Sequence, residues 1–113
     1  MKNINSLKNT SQFREVYENG RSCANGILVL YMLPNGLNIR KLGISVSKRV
    51  GNSVVRHRVT RLIRESFVKL EKEIPEGYSC VVVARPHAAG AGFSDIYDAL
   101  FYLSKKLKTQ LPL

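Results

Sequence analysis

From Ser53 to about Glu73 the apolar side chains recur at helical spacing, while the stretches on either side carry the patterns of strands. At about 100° per residue, Val55, Val59, Leu62, Ile63, Ser66 and Leu70 share one face, a stripe that must be buried. Gly51-Asn52-Ser53 breaks the preceding pattern and caps this helix, and Pro75 and Gly77 end it. Before it, Arg40–Val46 sets Leu42, Ile44 and Val46 between small or polar residues, as in a half-buried strand. After it, Tyr78–Ala84 is β-branched around Cys-Val-Val-Val and reads as a buried strand. Strand, long helix and strand in succession point to a sheet with helices packed on it.

The remaining segments fit that plan. Ser11 to Glu18 reads as a short helix with Ser11 as its cap, Phe13, Val16 and Tyr17 on one face, and Gly20 as its stop. Asn25-Gly26 is the pair a two-residue hairpin prefers, joining a strand at Arg21–Cys23 to one at Ile27–Leu33. Pro34-Asn35-Gly36 is a second turn. Ala88–Gly92 is too rich in small residues to hold one shape and reads as a loop. Phe93 to Lys108 is a final amphipathic helix, with Ser94 as cap and lysines in its last turns, where the helix dipole favours them. The expected order is α-β-β-β-α-β-α. With 113 residues, no internal repeat and no linker, residues 1–113 form a single α+β domain.

Several classes drop out. The longest apolar run, Ile27 to Leu33, is far short of the roughly 18–20 residues of a membrane span, so no membrane role is expected. Met1 to Thr10 carries lysines with no apolar core behind them, so no secretory signal is expected either. Cys23 and Cys80 cannot make a disulfide framework or a four-ligand zinc site unaided, and read as buried thiols of a reducing, cytoplasmic protein.

Charge decides the partner. Eighteen Lys and Arg against eight Asp and Glu give a net charge of +10, which makes nucleic acid the first candidate partner, ahead of an anionic membrane surface. The excess is concentrated: Arg40, Lys41, Lys48, Arg49, Arg56, Arg58, Arg61 and Arg64 fall in a stretch with no acid. On the long helix His57, Arg61 and Arg64 lie opposite the apolar stripe, with Arg56 and Arg58 flanking it. Like charges so crowded destabilise an isolated helix, and a polyanionic partner removes that cost. The helix start, with free backbone N–H groups just after Lys48-Arg49, suits a phosphate, although no Gly-x-x-x-x-Gly-Lys-Ser/Thr spacing is present.

The stretch from Leu42 to Glu65, Leu-Gly-Ile-Ser-Val-Ser-Lys-Arg-Val-Gly-Asn-Ser-Val-Val-Arg-His-Arg-Val-Thr-Arg-Leu-Ile-Arg-Glu, closely resembles the signature of the bacterial ribonuclease P protein component. That signature has a strand ending in Ser-x-Lys-Lys/Arg, then Gly-Asn-Ala, then an Arg-Asn-Arg helix continuing to Arg-Leu-x-Arg. Phe13 with Tyr17, Gly20, Val29 with Tyr31, and Val83-Ala84-Arg85 agree in order and spacing, so the likeness runs from about residue 6 to 108. Two positions depart from it: His57 stands where the family has Asn, and Thr60 where Lys is common. Imidazole cannot reproduce the paired donor and acceptor of a primary amide.

The resemblance implies an α/β sandwich of the ribosomal protein S5 domain 2-like type, with a left-handed βαβ crossover where pattern reasoning gives a right-handed one. It implies the protein subunit of an endoribonuclease that removes the 5′ leader of precursor tRNA. Its partners would be the ribonuclease P RNA, with one protein per RNA, and precursor tRNA. Lys48, Arg49, Asn52, Arg56, His57, Arg58, Arg61 and Arg64 would bind the catalytic RNA. Phe13, Tyr17, Val29 and Tyr31, with Arg56 and Arg85 at the edge, would line a cleft for the single-stranded leader. The residues themselves supply no nuclease centre, since the acids sit on helices or turns without converging and His57 and His87 have no evident partner. No catalytic residue and no metal ligand is therefore assigned to the chain, and the Mg2+ of the reaction is expected on the RNA. The alternative is a structural RNA-binding module, ribosomal or assembly-related, without a leader cleft; a protein-only nuclease is a more distant one.

Overall fold

Val81 and Val82 are both fully buried although adjacent strand residues point to opposite sides, so the sheet that holds them is covered on both faces. The computed structural model of the chain describes residues 4–111. Met1 to Asn3, where the segment read for a secretory signal begins, and Pro112 and Leu113, the end of the expected domain, lie outside them. The elements run β1 (Ile4–Ser6), α1 (Thr10–Asn19), β2 (Arg21–Ala24), β3 (Leu28–Pro34), β4 (Arg40–Ser45), α2 (Ser53–Lys69), β5 (Tyr78–Ala84) and α3 (Phe93–Lys108). Short 3₁₀ helices stand at Glu71–Glu73 and Pro86–Gly90. The strands form one sheet in the order β1-β4-β5-β3-β2. β1, β4 and β5 are mutually parallel, and β3 is antiparallel to both β5 and β2. This is the expected α+β order with one strand added at its start.

Strand alternation assigns the two faces. Leu28, Leu30, Met32, Leu42, Cys80, Val82 and Ala84 meet Val59, Ile63 and Phe67 of α2 and Ile96, Leu100 and Leu103 of α3 in the main core. Each such side chain contributes about 1.5–3 kcal/mol relative to leaving it in water. On the other face Val81 is covered by α1, whose Val16 is also buried. The end of α1 comes so close to β3 that a Cβ on Gly20 would lie 2.6 Å from the Val16 carbonyl oxygen and 2.8 Å from that of Met32.

Several expected details are corrected. Asn9, not Ser11, caps α1, its side chain accepting from the Gln12 amide. Gly26 does not take the left-handed φ of the expected two-residue turn. The Asn25 side chain closes that turn instead, accepting from the Ile27 and Leu28 amides at 3.0 and 2.8 Å. β4 is buried at Leu42 and, under α1, also at Gly43, whereas Ile44 and Ser45 beyond them are half-buried. α2 stops at Lys69, short of Glu73, because the chain tightens into a 3₁₀ turn that buries both Leu70 and Ile74. Gly92 rather than Ser94 is the cap of α3, with Asp95 accepting from the Gly92 amide at 2.9 Å. The Ala88–Gly92 stretch is no shapeless loop: Pro86–Gly90 is helical, and Ala88 and Ala91 are buried in the core. Small side chains there allow close packing on α2. Cys80 is buried and Cys23 half-buried, both as free thiols.

Candidate nucleic-acid interface

The apolar stripe of α2 fixes which residues it presents outward. Val59, Leu62, Ile63 and Ser66 are buried, with Phe67 beside them, and His57, Arg61 and Arg64 are exposed. Lys48 and Arg49 are exposed in the turn that leads into α2, anchored by the buried Val50, whose amide donates to the Ser47 carbonyl. The Asn52 side-chain oxygen accepts from the Val55 amide at 3.0 Å, which leaves the Ser53 and Val54 amides at the positive end of the helix dipole. The ion pairs among the described residues are Arg40–Glu76 and Lys108–Glu73, so Lys48, Arg49, Arg61 and Arg64 carry charge that no described carboxylate neutralises.

The eight-residue basic run does not form one surface. Arg40 is turned inward, donating to the Ile74 carbonyl and paired with Glu76 at 3.7 Å. Lys41 points to the α1 face, where it lines a cavity of about 190 Å³ with Gln12, Glu15 and Ser79. Arg56 is half-buried and folds back to donate to the Gly51 carbonyl at 3.0 Å. Arg58 is turned sideways: its Nη2 donates to the Ala91 carbonyl at 2.7 Å and its Nη1 to that of Ala89 at 3.5 Å. Those bonds span more than 30 residues of chain, and nothing in the local pattern around Arg58 signals them.

On the opposite face, the sheet register arranges side chains in rows. Tyr31, Val81 and Gly43 stand side by side, as do Val29, Val83 and Ser45 two residues along, about 7 Å away. α1 lies over the first row. A Cβ on Gly43 would sit 2.6 Å from the Phe13 ring, so only glycine lets that ring rest on the strand. Tyr17 meets Tyr31 edge-on with ring centroids 5.0 Å apart, and Phe13 lies 6.4 Å from Tyr17. The second row is half-buried at Val29, Val83 and Ser45. Beyond it come Arg85, whose Nη1 donates to the Asn25 carbonyl at 2.9 Å, and an open concavity of about 310 Å³ formed with Gly26, Pro86 and His87.

Phe13, Tyr17, Val29, Tyr31 and Arg85 thus share one surface. Arg56 stands on α2, which packs against the other face of the sheet, and its guanidinium is bonded to the Gly51 carbonyl. Gly43, Ser45 and Val83 complete the floor; a glycine in mid-strand is the signal of close approach that marks Gly43. Half-exposed aromatics beside a cation can stack bases and pair a phosphate, and arginines and lysines on a rigid helix can pair phosphates without reading sequence. Among the described residues no three His, Cys, Asp or Glu side chains are grouped so as to hold a metal ion, and no helix is long and apolar enough to cross a membrane.

Known proteins place this architecture. The sequence profile of the Ribonuclease P family matches residues 1–108. The ribonuclease P protein component of Lachnoclostridium phytofermentans is 53% identical over 100 residues, covering 88% of this chain and 86% of its own. That of Caldanaerobacter subterraneus is 45% identical over 103 residues, covering 91% and 89%. The Staphylococcus aureus RNase P protein structure superposes with a TM-score of 0.84 at 34% identity, over 91% of this chain and 94% of that one. The Thermotoga maritima RNase P protein gives 0.77 at 28% identity, over 83% and 89%. Fold, profile and relatives agree, and the chain belongs to the family of bacterial ribonuclease P protein components.

Proposed function

We propose that the chain binds RNA on two separate surfaces, the catalytic RNA on the outward side of α2 and the 5′ leader of precursor tRNA in the cleft between α1 and the sheet. As a member of its family it is a subunit of the ribonuclease P holoenzyme, which cleaves precursor tRNA, and catalysis lies in the RNA. The ribonuclease P RNA is accordingly its partner. On this reading Lys48, Arg49, His57, Arg61 and Arg64 face the phosphates of that RNA, and the Ser53 and Val54 amides add a dipole-favoured anion position at the helix start. The leader stacks against Phe13, Tyr17 and Tyr31 and runs over the Val29–Val83 row towards Arg85. Magnesium is held by RNA phosphates, and the protein's cations reduce the amount the RNA needs. The setting is cytoplasmic.

The row order of the sheet carries the leader assignment: aromatic rings, then a shallow apolar floor, then a cation, on a face that α2 does not touch. Such a track binds a single strand with little sequence preference, each stacked base worth about 1–3 kcal/mol. A structural module that only holds folded RNA needs no such face. The test is the reconstituted holoenzyme at low magnesium. Tyr17→Ala with Tyr31→Ala is expected to weaken precursor tRNA roughly tenfold or more and leave mature tRNA within twofold. Equal losses for both RNAs would mean the cleft does not hold the leader.

A further inference from the structure

We infer that Arg58 is a strut rather than a phosphate ligand, and that through the Pro86–Gly90 turn it positions the Arg85 and His87 rim of the cleft. This rests on the leader reading above and deepens it. Arg58 follows immediately on His57 in the most basic segment of the helix, yet its guanidinium does not face outward with Arg61 and Arg64. It is half-buried and bonded to two carbonyls, those of Ala89 and Ala91, on a segment some thirty residues away. A fork of this kind matches two neighbouring acceptors in a way a lysine ammonium does not.

The segment it grips leads straight to the rim. The Ala88 amide donates to the Arg85 carbonyl at 2.8 Å and the Ala91 amide to that of Ala88 at 3.1 Å, so the turn is one hydrogen-bonded unit starting at Arg85. Arg85 itself is held at both ends of its bonding capacity: its amide donates to the Ile27 carbonyl at 2.8 Å and its Nη1 to that of Asn25 at 2.9 Å. Buried Ala88 and Ala91 let the turn lie against α2 without a side chain between them, and Arg58 closes that contact. The helix that holds the catalytic RNA and the rim that meets the leader are therefore joined by the packing of this turn on α2 and by the hydrogen bonds of Arg58. Arg58 makes the correct placement of Arg85 depend on the placement of α2.

The experiment is a double-mutant cycle in the reconstituted holoenzyme, with two readouts. One is the salt dependence of protein binding to the catalytic RNA, the other the preference for precursor over mature tRNA. Arg58→Ala is expected to leave the log–log salt slope unchanged while lowering precursor preference several-fold. Arg61→Ala should do the opposite, reducing the slope by about 0.7–0.9 for the lost phosphate contact. Arg58→Ala with Arg85→Ala should be no worse than Arg85→Ala alone, since both remove the same contact with the leader. Arg58→Lys keeps the charge and covers the case in which Arg58→Ala folds poorly: a strut loses precursor preference in this variant, whereas a phosphate ligand keeps it. A slope that falls with Arg58→Ala, or losses that multiply with those of Arg85→Ala, would overturn the proposal. Should Arg85→Ala alone leave precursor preference intact, the leader reading of Arg85 fails. The strut is then judged separately by amide exchange, which Arg58→Lys must speed at Ala88 and Ala91 for it to stand.

Discussion

At Gly43 the absence of a side chain is what lets an aromatic ring lie on a strand. Adding one methyl group is a small chemical change with a directed effect, because the atom would meet the far edge of the Phe13 ring at 2.6 Å and Leu7 at 2.9 Å. Gly43→Ala is expected to cost about 1–3 kcal/mol in chemical denaturation and to lift Phe13 off the floor of the cleft, so that precursor tRNA binding falls while mature tRNA binding holds. At Gly20 the same methyl group would meet two carbonyl oxygens of the backbone, which cannot swing aside, so Gly20→Ala should destabilise more than Gly43→Ala without being specific to the leader. Cys80 illustrates a third kind of residue effect. Burial pushes its thiol from 9.0 up to about 12, against a smaller opposing pull from the Arg40 charge. Well below pH 9 the thiol is protonated in both folded and unfolded chains and stability is unaffected. Between pH 9 and 12 only the unfolded chain releases the proton, so stability falls as pH rises. Cys80→Ala should flatten that alkaline decline, read from denaturation midpoints across the range, and the native thiol should resist alkylation until the protein unfolds.

Among the elements, α2 shows most clearly what local pattern can and cannot reveal. Its period placed Val59, Leu62, Ile63 and Ser66 inward and His57, Arg61 and Arg64 outward, as the structure has them. β5 and α3 run over the residues their composition indicated, because each is long and strongly patterned. β1 was not legible: three residues with one buried side chain, Ile4, carry no period, and the strand exists because β4 offers it a parallel edge. The inward turn of Arg40 and Arg58 was not legible either, since their partners lie 31 to 36 residues away. The resemblance to the family supplied what periodicity could not, the pairing of α1 aromatics with Tyr31 across the sheet. One capping contact is exposed to test. Asn52→Ala removes the acceptor for the Val55 amide and should cost about 0.5–2 kcal/mol of stability, measured by thermal or urea unfolding. Because it also loosens the first turn of α2, next to Lys48 and Arg49, binding to the catalytic RNA should weaken in step.

At the scale of the whole molecule, a five-stranded sheet separates two jobs. Helices α2 and α3 cover one face and α1 part of the other, so a change on one surface reaches the second only through the strands or the Pro86–Gly90 turn. Arg61→Ala and Tyr31→Ala are therefore expected to act independently. Their effects on holoenzyme assembly and on precursor preference should add to within about 0.5 kcal/mol in a double-mutant cycle, and a larger coupling would place both residues on one RNA-binding surface. The strand order has a further consequence for how the protein comes into being. β5 is the last strand in sequence and the one between β4 and β3, pairing with both. Until residues 78–84 have left the ribosome, the β1–β4 pair and the β2–β3 hairpin have nothing to join them, and the core has no centre. Nascent chains cut short before Tyr78 should remain open to proteases, with the most basic segment already made and unshielded. The molecule is thus synthesised as a loose polycation and becomes a folded RNA partner only when its last third arrives.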